Sequence, residues 1–429
     1  MIDNFESVNN DEKLLPASFT EQPAEIVTAK PEVFETPEQV AAREATETLD
    51  EITVDLPEAS TVPKQFKTPS KTRIQWQKLK LSWPPHKKEF IVVGILLLLI
   101  GGGVGGWILT HPTVKKVVVT KPQPVVVKKV IAPVKVPSAL TGLLVDPSLN
   151  QGPVTGVMIE NSLDARPQSG LSQAGVVFEA IAEGGITRFL ALFQDTAPDN
   201  VGPIRSARPY YVAWALGFDA GYAHVGGSPE AIADIRDWGV RDLDQFYNGA
   251  SYHRIASRAA PHNVYTAIAT LNQLEVSKGY TSSTFTSFSR KVEAPDKVPT
   301  AKTINLHISG TLYDVLYQYD ATTNSYLRNE GGVPHADANT GTQLSPKVVI
   351  AMVMPYSLES DGSHSVYSTI GNGPVYIFQD GIASTGQWTK SSNASQFIFT
   401  DSNNVEIKLN PGQTWLTAMA NTTDITYSP

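Results

Sequence analysis

From about residue 150 onward the chain alternates short apolar runs with polar or glycine-rich breaks. TGVMIEN (155–161), AGVVFEAIAEG (174–184) and RFLALFQD (188–195) are apolar runs of strand length, the pattern of strands covered on both faces. PYYVAWALG (209–217) reads as a helix and AGYAHVGG (220–227) as a short buried strand ending in glycines. SPEAIADIRDWG (228–239) carries helix start and stop signals: Ser228 as N-cap, Pro229 in the first turn, Glu230 after it and Gly239 as terminator. HNVYTAIATLNQLEVSKG (262–279) predicts a further helix closed by Lys278 and Gly279. Beyond Thr303 the runs TINLHIS, VLYQYD, SYLRN, VVIAMVM, PVYIFQDGIASTGQWTK and QFIFTD are strand-like, and the Asp-Gly inside QDGI marks a hairpin. LNPGQTWLTAM reads as a turn and a final strand. The expectation is an α/β N-terminal head domain over 139–298, then a β-rich (α+β) C-terminal domain over 303–420, joined by the linker KVEAPDKVPTAK (291–302).

The region before residue 139 follows other rules. Phe90 to Leu109, FIVVGILLLLIGGGVGGWIL, contains no charge. Such a run is long enough to cross a bilayer core of about 30 Å, so one transmembrane helix is predicted over 90–109. Its glycines are tolerated in lipid, where small residues let helices approach. Residues 1–60 hold acids from Asp3 to Glu58 against only Lys13, Lys30 and Arg43, and read as an acidic disordered cytoplasmic tail. Residues 61–89 form a basic juxtamembrane segment with Ile74, Trp76, Leu79, Leu81 and Trp83 interleaved, a pattern suited to an anionic lipid surface. Residues 110–138, rich in Pro, Val and Lys, read as a stalk. The expected layout is a single-pass cell-membrane protein, N-terminus cytoplasmic and C-terminal head outside. Lysine and arginine counts on the two sides of the span differ little and only lean this way.

Net charge is −8, but the acidic tail and the basic segment account for most of its variation, leaving the head near neutral. The absence of cysteine excludes disulfides, thiolate metal sites and a cysteine nucleophile. The head has no basic stripe, so nucleic acid is not an expected partner. There is no H-E-x-x-H, no G-x-S-x-G and no G-x-x-x-x-G-K-[ST], and neither a metal nor a cofactor is expected.

Candidate chemistry clusters between residues 166 and 263. GPIRSARPYY places Arg205 and Arg208 three residues apart just before Pro209. Forked guanidinium donors suit a carboxylate or phosphate ligand. The alternative is internal pairing with Glu179, Glu183 or Asp195. A strand followed by Gly226, Gly227 and Ser228 at a helix start is the outline of an anion site. Expected ligand-binding residues are therefore Arg166, Arg188, Arg205, Arg208, Gly226, Gly227, Ser228 and Asn263. The candidates for acid–base catalysis are Glu179, Glu183, His224 and His262, with His253, Arg254 and Arg258 nearby in sequence. His335 and Asp337, in GGVPHADANTGTQLSP, read as an exposed loop.

Several long motifs bear a resemblance to the DUF3048 family: VMIENSLDARPQSGLSQAGVVFEAIAEGGITRFLALFQ, VGPIRSARPYY, HVGGSPEA and APHNVYT, then YLRNEGGVPHADANTGTQLSPKVVI, GPVYIFQDG, GQWTKSS and IKLNPGQTWL. The resemblance spans roughly 150–420 and implies a two-domain extracytoplasmic protein held at the outer face of a bacterial membrane, with no established reaction. Its motifs include Arg166, Glu179, Glu183, Arg188, Arg205, Arg208, His224, His262 and Asn263. The expected function is binding of an anionic cell-envelope ligand, a cell-wall polymer, or an envelope-synthesis partner. The alternative is a cell-wall hydrolase or transferase using Glu and His.

Overall fold

The computed structural model describes residues 134–429. The expected tail, juxtamembrane segment, span at 90–109 and most of the stalk lie outside them. Among the described residues no helix is long and apolar enough to cross a membrane.

The described part is mostly sheet with few helices. In chain order the strands used below are β1 (Thr155–Glu160), β2 (Val176–Glu183), β3 (Ile186–Phe193), β4 (Gly221–Ala223), β5 (Arg241–Asp242), β6 (Thr303–Leu306), β7 (Val315–Asp320), β8 (Ser325–Glu330), β9 (Val333–Pro334), β10 (Val348–Val353), β11 (Tyr356–Leu358), β12 (Ser365–Tyr367), β13 (Gly371–Gln379), β14 (Ile382–Lys390), β15 (Ile398–Thr400), β16 (Thr414–Met419) and β17 (Ile425–Ser428). The helices are α1 (Pro209–Leu216), α2 (Pro229–Asp237) and α3 (Ile268–Ser277). The run read as one helix over 262–279 begins instead with a short strand, Val264–Tyr265, and becomes helical only at Ile268. The strand in LNPGQTWLTAM is not the last, because β17 follows it.

A ten-stranded sheet runs in the order β15-β14-β13-β10-β16-β2-β3-β1-β4-β5. Strands from both family-like segments share it without a break. β16, from the end of the chain, lies parallel to β10 on one side and to β2 on the other. β3 runs antiparallel to both β2 and β1, while β4 and β5 continue parallel to β1. A second sheet, β9-β8-β7-β6-β17, closes with the chain's last strand.

Residues of β2 alternate between two cores. Phe178 and Ala180 face a cluster with Tyr210, Tyr211 and Trp214 of α1. Val177 faces a second cluster with Phe189, Leu271 of α3 and Trp415. A third cluster, with Ile304, Tyr317 and Tyr326 against Val349, Phe378 and Met419, joins the two sheets. Full burial on both faces explains the uninterrupted apolar runs in β1, β2, β3 and β16.

The β13–β14 hairpin turns at Asp380 and Gly381, with φ of 57° and 78°, the paired left-handed geometry that an Asp-Gly turn supplies. Gly331 and Gly332, at 57° and 81°, do the same between β8 and β9.

Candidate functional site

Glu160 ends β1, Glu183 ends β2 and His224 follows β4. These three strands run parallel to one another in the sheet's frame, so the residues emerge at one edge. In open sheets ligands bind outside the carboxyl ends of parallel strands. The segment carrying Arg205 and Arg208 crosses this edge. It is tied to β1 by the Glu160 N–H, which donates to the Pro203 carbonyl at 2.9 Å, and by the Arg205 N–H, which donates to the Met158 carbonyl at 3.1 Å. On its other side the Ala207 N–H donates to the Gly226 carbonyl at 2.9 Å.

The two arginines of GPIRSARPYY have different fates. Arg208 is buried, and its Nε donates to Glu183 Oε2 at 3.1 Å, with a second contact from its Nη2. Arg188 grips the other oxygen of Glu183 and donates through Nη1 to the Ser206 carbonyl at 3.1 Å. Burial alone would raise the Glu183 carboxyl. The guanidiniums of Arg188 and Arg208 overcome that and hold it below the usual carboxylate range.

Arg205 is instead 27% exposed. Its Nε lies 3.4 Å from Glu160 Oε1 without forming a hydrogen bond, and that nitrogen has no other hydrogen-bond partner among the described residues. Glu160 also receives His262 Nδ1 at 2.9 Å and the Ser162 hydroxyl at 2.9 Å. Burial pushes this carboxyl up, but His262 and Arg205 bring it below its ordinary value. Three guanidiniums and two carboxylates thus share the strand edge. One positive charge is left over in the cluster, and Arg205 is the arginine of the three that faces solvent.

The glycine turn is already filled from within. The Gly226 N–H donates to Asp244 Oδ1 at 3.0 Å, and the Ala231 N–H donates to the Ser228 hydroxyl at 3.3 Å. Gly227 packs so closely that a Cβ would lie 3.0 Å from that of Ala207. His224 is fully buried between the Gly226 carbonyl (2.7 Å from Nδ1) and Asp242 Oδ1 (3.2 Å from Nε2). Asn263 accepts from Arg254 at 2.6 Å rather than facing His262's partners.

A second polar centre lies where the two sheets meet. Arg328 on β8 is fully buried. It donates to Glu179 at 2.9 Å, to the Tyr317 hydroxyl at 2.9 Å and to His335 Nδ1 at 3.0 Å. Its guanidinium lies 4.4 Å from the ring centroid of Trp415, a stacked geometry that favours arginine. Trp415 Nε1 donates to the other Glu179 oxygen at 2.9 Å. Glu179, expected as an acid–base candidate, is therefore at 0% exposure with both oxygens engaged.

Arg166 reaches the same centre from the loop after β1. It donates to Asn161 Oδ1 at 3.0 Å and the Leu312 carbonyl at 2.9 Å, lies 3.3 Å from Glu330, and stacks over Tyr313. The segment of His335 and Asp337, read as an exposed loop, is corrected here: both side chains are buried. His335 is held by Arg328 and Gln168, and Asp337 accepts from the Ser172 N–H at 2.8 Å.

Glu160, Asn161, Gln168, Arg328 and Glu330 escaped sequence reasoning as site residues. A signal existed for two of them. In β8 Tyr326, Arg328 and Glu330 share one strand face by the period of two, and a tyrosine there points inward.

Among the described residues Glu359, Asp361 and His364 lie within 4.8 Å of one another. Asp361 accepts from the Ser363 and His364 N–H groups at 2.8 and 3.0 Å and from the His364 ring. These bonds account for the grouping as the turn between β11 and β12.

The class defined by this fold and site is a mostly-sheet protein in which two sequence segments build one sheet around a shared arginine–carboxylate centre. The chain belongs to the DUF3048 family. The family's N-terminal domain, a domain of unknown function, matches residues 140–281, and its C-terminal domain matches residues 304–416. The chain is 30% identical over 288 residues to a Bacillus subtilis protein named "Putative lipoprotein YerB", covering 66% of this chain and 86% of that protein. The crystal structure of YerB from Bacillus subtilis superposes with a TM-score of 0.63 at 27% identity, covering 69% of this chain and all of that one.

Proposed function

We propose that this protein is a membrane-anchored, extracytoplasmic binding protein for an anionic group of the cell envelope, a cell-wall polymer or an envelope-synthesis partner. The reading rests on one observation above others. Arg205 is the most exposed guanidinium of a cluster in which Arg188 and Arg208 are both held by Glu183, and its Nε has no hydrogen-bond partner among the described residues. A carboxylate or phosphate placed there would gain a forked, charge-assisted contact, with the imidazole of His262 beside it on Glu160. The lipoprotein name of the Bacillus relative and the uncharged 90–109 segment support an envelope location with a single span, the head outside.

The alternative, a cell-wall hydrolase or transferase, draws less support from the same residues. Glu179 and His224 are closed off from solvent. Glu183 is held ionised by two arginines, which suits neither a general acid nor a strong base. Ser162 and Glu160 both approach the same ring nitrogen of His262, at 3.4 and 2.9 Å, so the ring does not bridge a nucleophile and an orienting carboxylate.

Titrating the full-length protein with muropeptides and teichoic-acid fragments tests the reading. Arg205→Ala is expected to weaken binding about tenfold or more, a loss of about 1.4 kcal/mol, and to leave thermal stability within about 0.5 kcal/mol. Equal binding by this variant, or no binding of any anionic fragment, would remove the proposal.

A further inference from the structure

The centre around Arg328 contains a carboxyl group whose proton can be placed from its neighbours. Gln168 Nε2 donates to the Glu160 carbonyl at 3.0 Å and to Asn161 Oδ1 at 2.8 Å. Its Oε1 therefore faces His335 Nε2, at 2.8 Å, and that ring nitrogen must carry a hydrogen. His335 is neutral, because burial, and then Arg328 and Arg166, drive its imidazolium form well out of the physiological range. Its Nδ1 is then a lone pair, and it accepts from Arg328 Nε at 3.0 Å.

Glu330 Oε2 lies 3.2 Å from that same lone pair, is buried and has no hydrogen-bond partner. Glu330 Oε1 accepts from Asn161 Nδ2 at 2.6 Å and stands 3.3 and 3.4 Å from Arg166 and Arg328. His335 Nδ1 has no hydrogen to give, so two acceptors stand 3.2 Å apart, and a proton on Glu330 Oε2, sharing the nitrogen with Arg328 Nε, removes the conflict. The charged and titratable groups facing Glu330 are Arg328 on its own strand, Glu179 on β2, Arg166 and His335 on the flanking loops, and Tyr313 and Tyr317. Burial first, and Glu179 after it, raise the Glu330 carboxyl against the pull of the two arginines. With Glu330 neutral, Arg166 and Arg328 are opposed by Glu179 alone.

Glu330 lines an open pocket of about 290 Å³, with Arg166 and His335 as its other polar walls and Pro167, Val333 and Pro334 as apolar ones. From this geometry we infer that the pocket binds the carboxylate of a small acid or peptide terminus. Arg166 supplies the charge, Glu330 with its proton held towards His335 puts no carboxylate charge against the ligand, and the prolines and Val333 pack a side chain of about methyl size. The pocket's lining does not include Arg205, and the inference holds whether or not Arg205 takes a ligand.

The test uses the full-length protein with N-acetylalanine, its methylamide, propionate and propylammonium as probes, followed by saturation-transfer NMR and calorimetry at pH 5 and pH 8. N-acetylalanine is expected to bind, and its uncharged methylamide to bind at least about tenfold more weakly. Wild-type affinity should fall as pH rises, by up to about tenfold per pH unit once Glu330 ionises. Glu330→Gln keeps a donor and no titrating proton, so its affinity should not fall between pH 5 and pH 8. Ala336→Leu, which fills the pocket from its partly exposed rim, should remove binding. A clear preference for N-acetylalanine over propionate supports a peptide terminus as the source, and equal binding supports a free acid. Methylamide binding as tight as the acid, preference for propylammonium, or unchanged affinity in Ala336→Leu would overturn the inference.

Discussion

Replacing Arg328 by methionine is expected to cost about 3–5 kcal/mol of folding stability, the range seen when one partner of a buried ion pair is removed. The side chain is fully buried and serves Glu179, Tyr317 and His335 at once while stacking on Trp415. Methionine matches much of its volume, so the loss would come from charge and not from a cavity. Glu179 would be left in the interior without its cation, with only the Trp415 N–H and the Thr187 hydroxyl as donors. Lysine should not rescue the variant. A single ammonium cannot meet a carboxylate, an imidazole nitrogen and a phenol in the directions a planar guanidinium does. Denaturant unfolding of the single variant and of the Glu179→Gln/Arg328→Met pair checks the cause. The double variant should be the more stable of the two. If it is less stable than Arg328→Met alone, the uncompensated carboxylate is not the source of the loss.

The second large effect is a gain. Glu275, on α3, is fully buried; its Oε2 accepts from the Thr155 hydroxyl at 2.6 Å and its Oε1 has no hydrogen-bond partner. Burial drives its carboxyl from the ordinary 4.5 up to about 7, against weaker opposing pulls from Thr155 and Arg241. The sign follows directly. Between pH 4.5 and 7 the folded protein holds a proton that the unfolded chain has released, so stability falls as pH rises through this window. Above it the fold carries a penalty of about 3 kcal/mol at most. Glu275→Gln should remove this pH dependence and raise stability at pH 8 by about 1–3 kcal/mol, with little change at pH 4. Thermal unfolding of both proteins at pH 4, 6 and 8 measures it; parallel curves across that range would show that Glu275 does not carry the slope. The position is sterically tight as well, since a Cβ on Gly221 would lie 2.0 Å from Glu275 Oε1. That close approach explains why glycine opens β4.

How much of the site could be read from the chain depends on the range of the interaction. Ser228 as N-cap and the Asp380–Gly381 turn are local, and sequence spacing predicts both. The pairing of Arg208 was open among three carboxylates by sequence alone. Glu183 takes it because the β2–β3 hairpin sets Arg188 and Glu183 side by side under the 202–208 segment. Asp195 caps the Ser138 and Thr141 hydroxyls instead. Arg205 went to Glu160, a residue hidden in an apolar run. The polar end of a buried strand looks, in sequence, like a mere interruption of hydrophobicity.

The amino-acid sequence by itself determined the longer strands, the Ser228 helix cap, the Asp380–Gly381 turn and the family, because these depend on apolar periodicity and on residues a few positions apart. Only the tertiary structure decided that β16 inserts between β10 and β2 and brings Trp415 to Glu179, 236 residues away in the chain. It likewise decided that Arg328 crosses 149 residues to the same carboxylate. Strand order in a mixed sheet is set by which faces can all be buried together. That is a property of the whole core, and no local pattern encodes it.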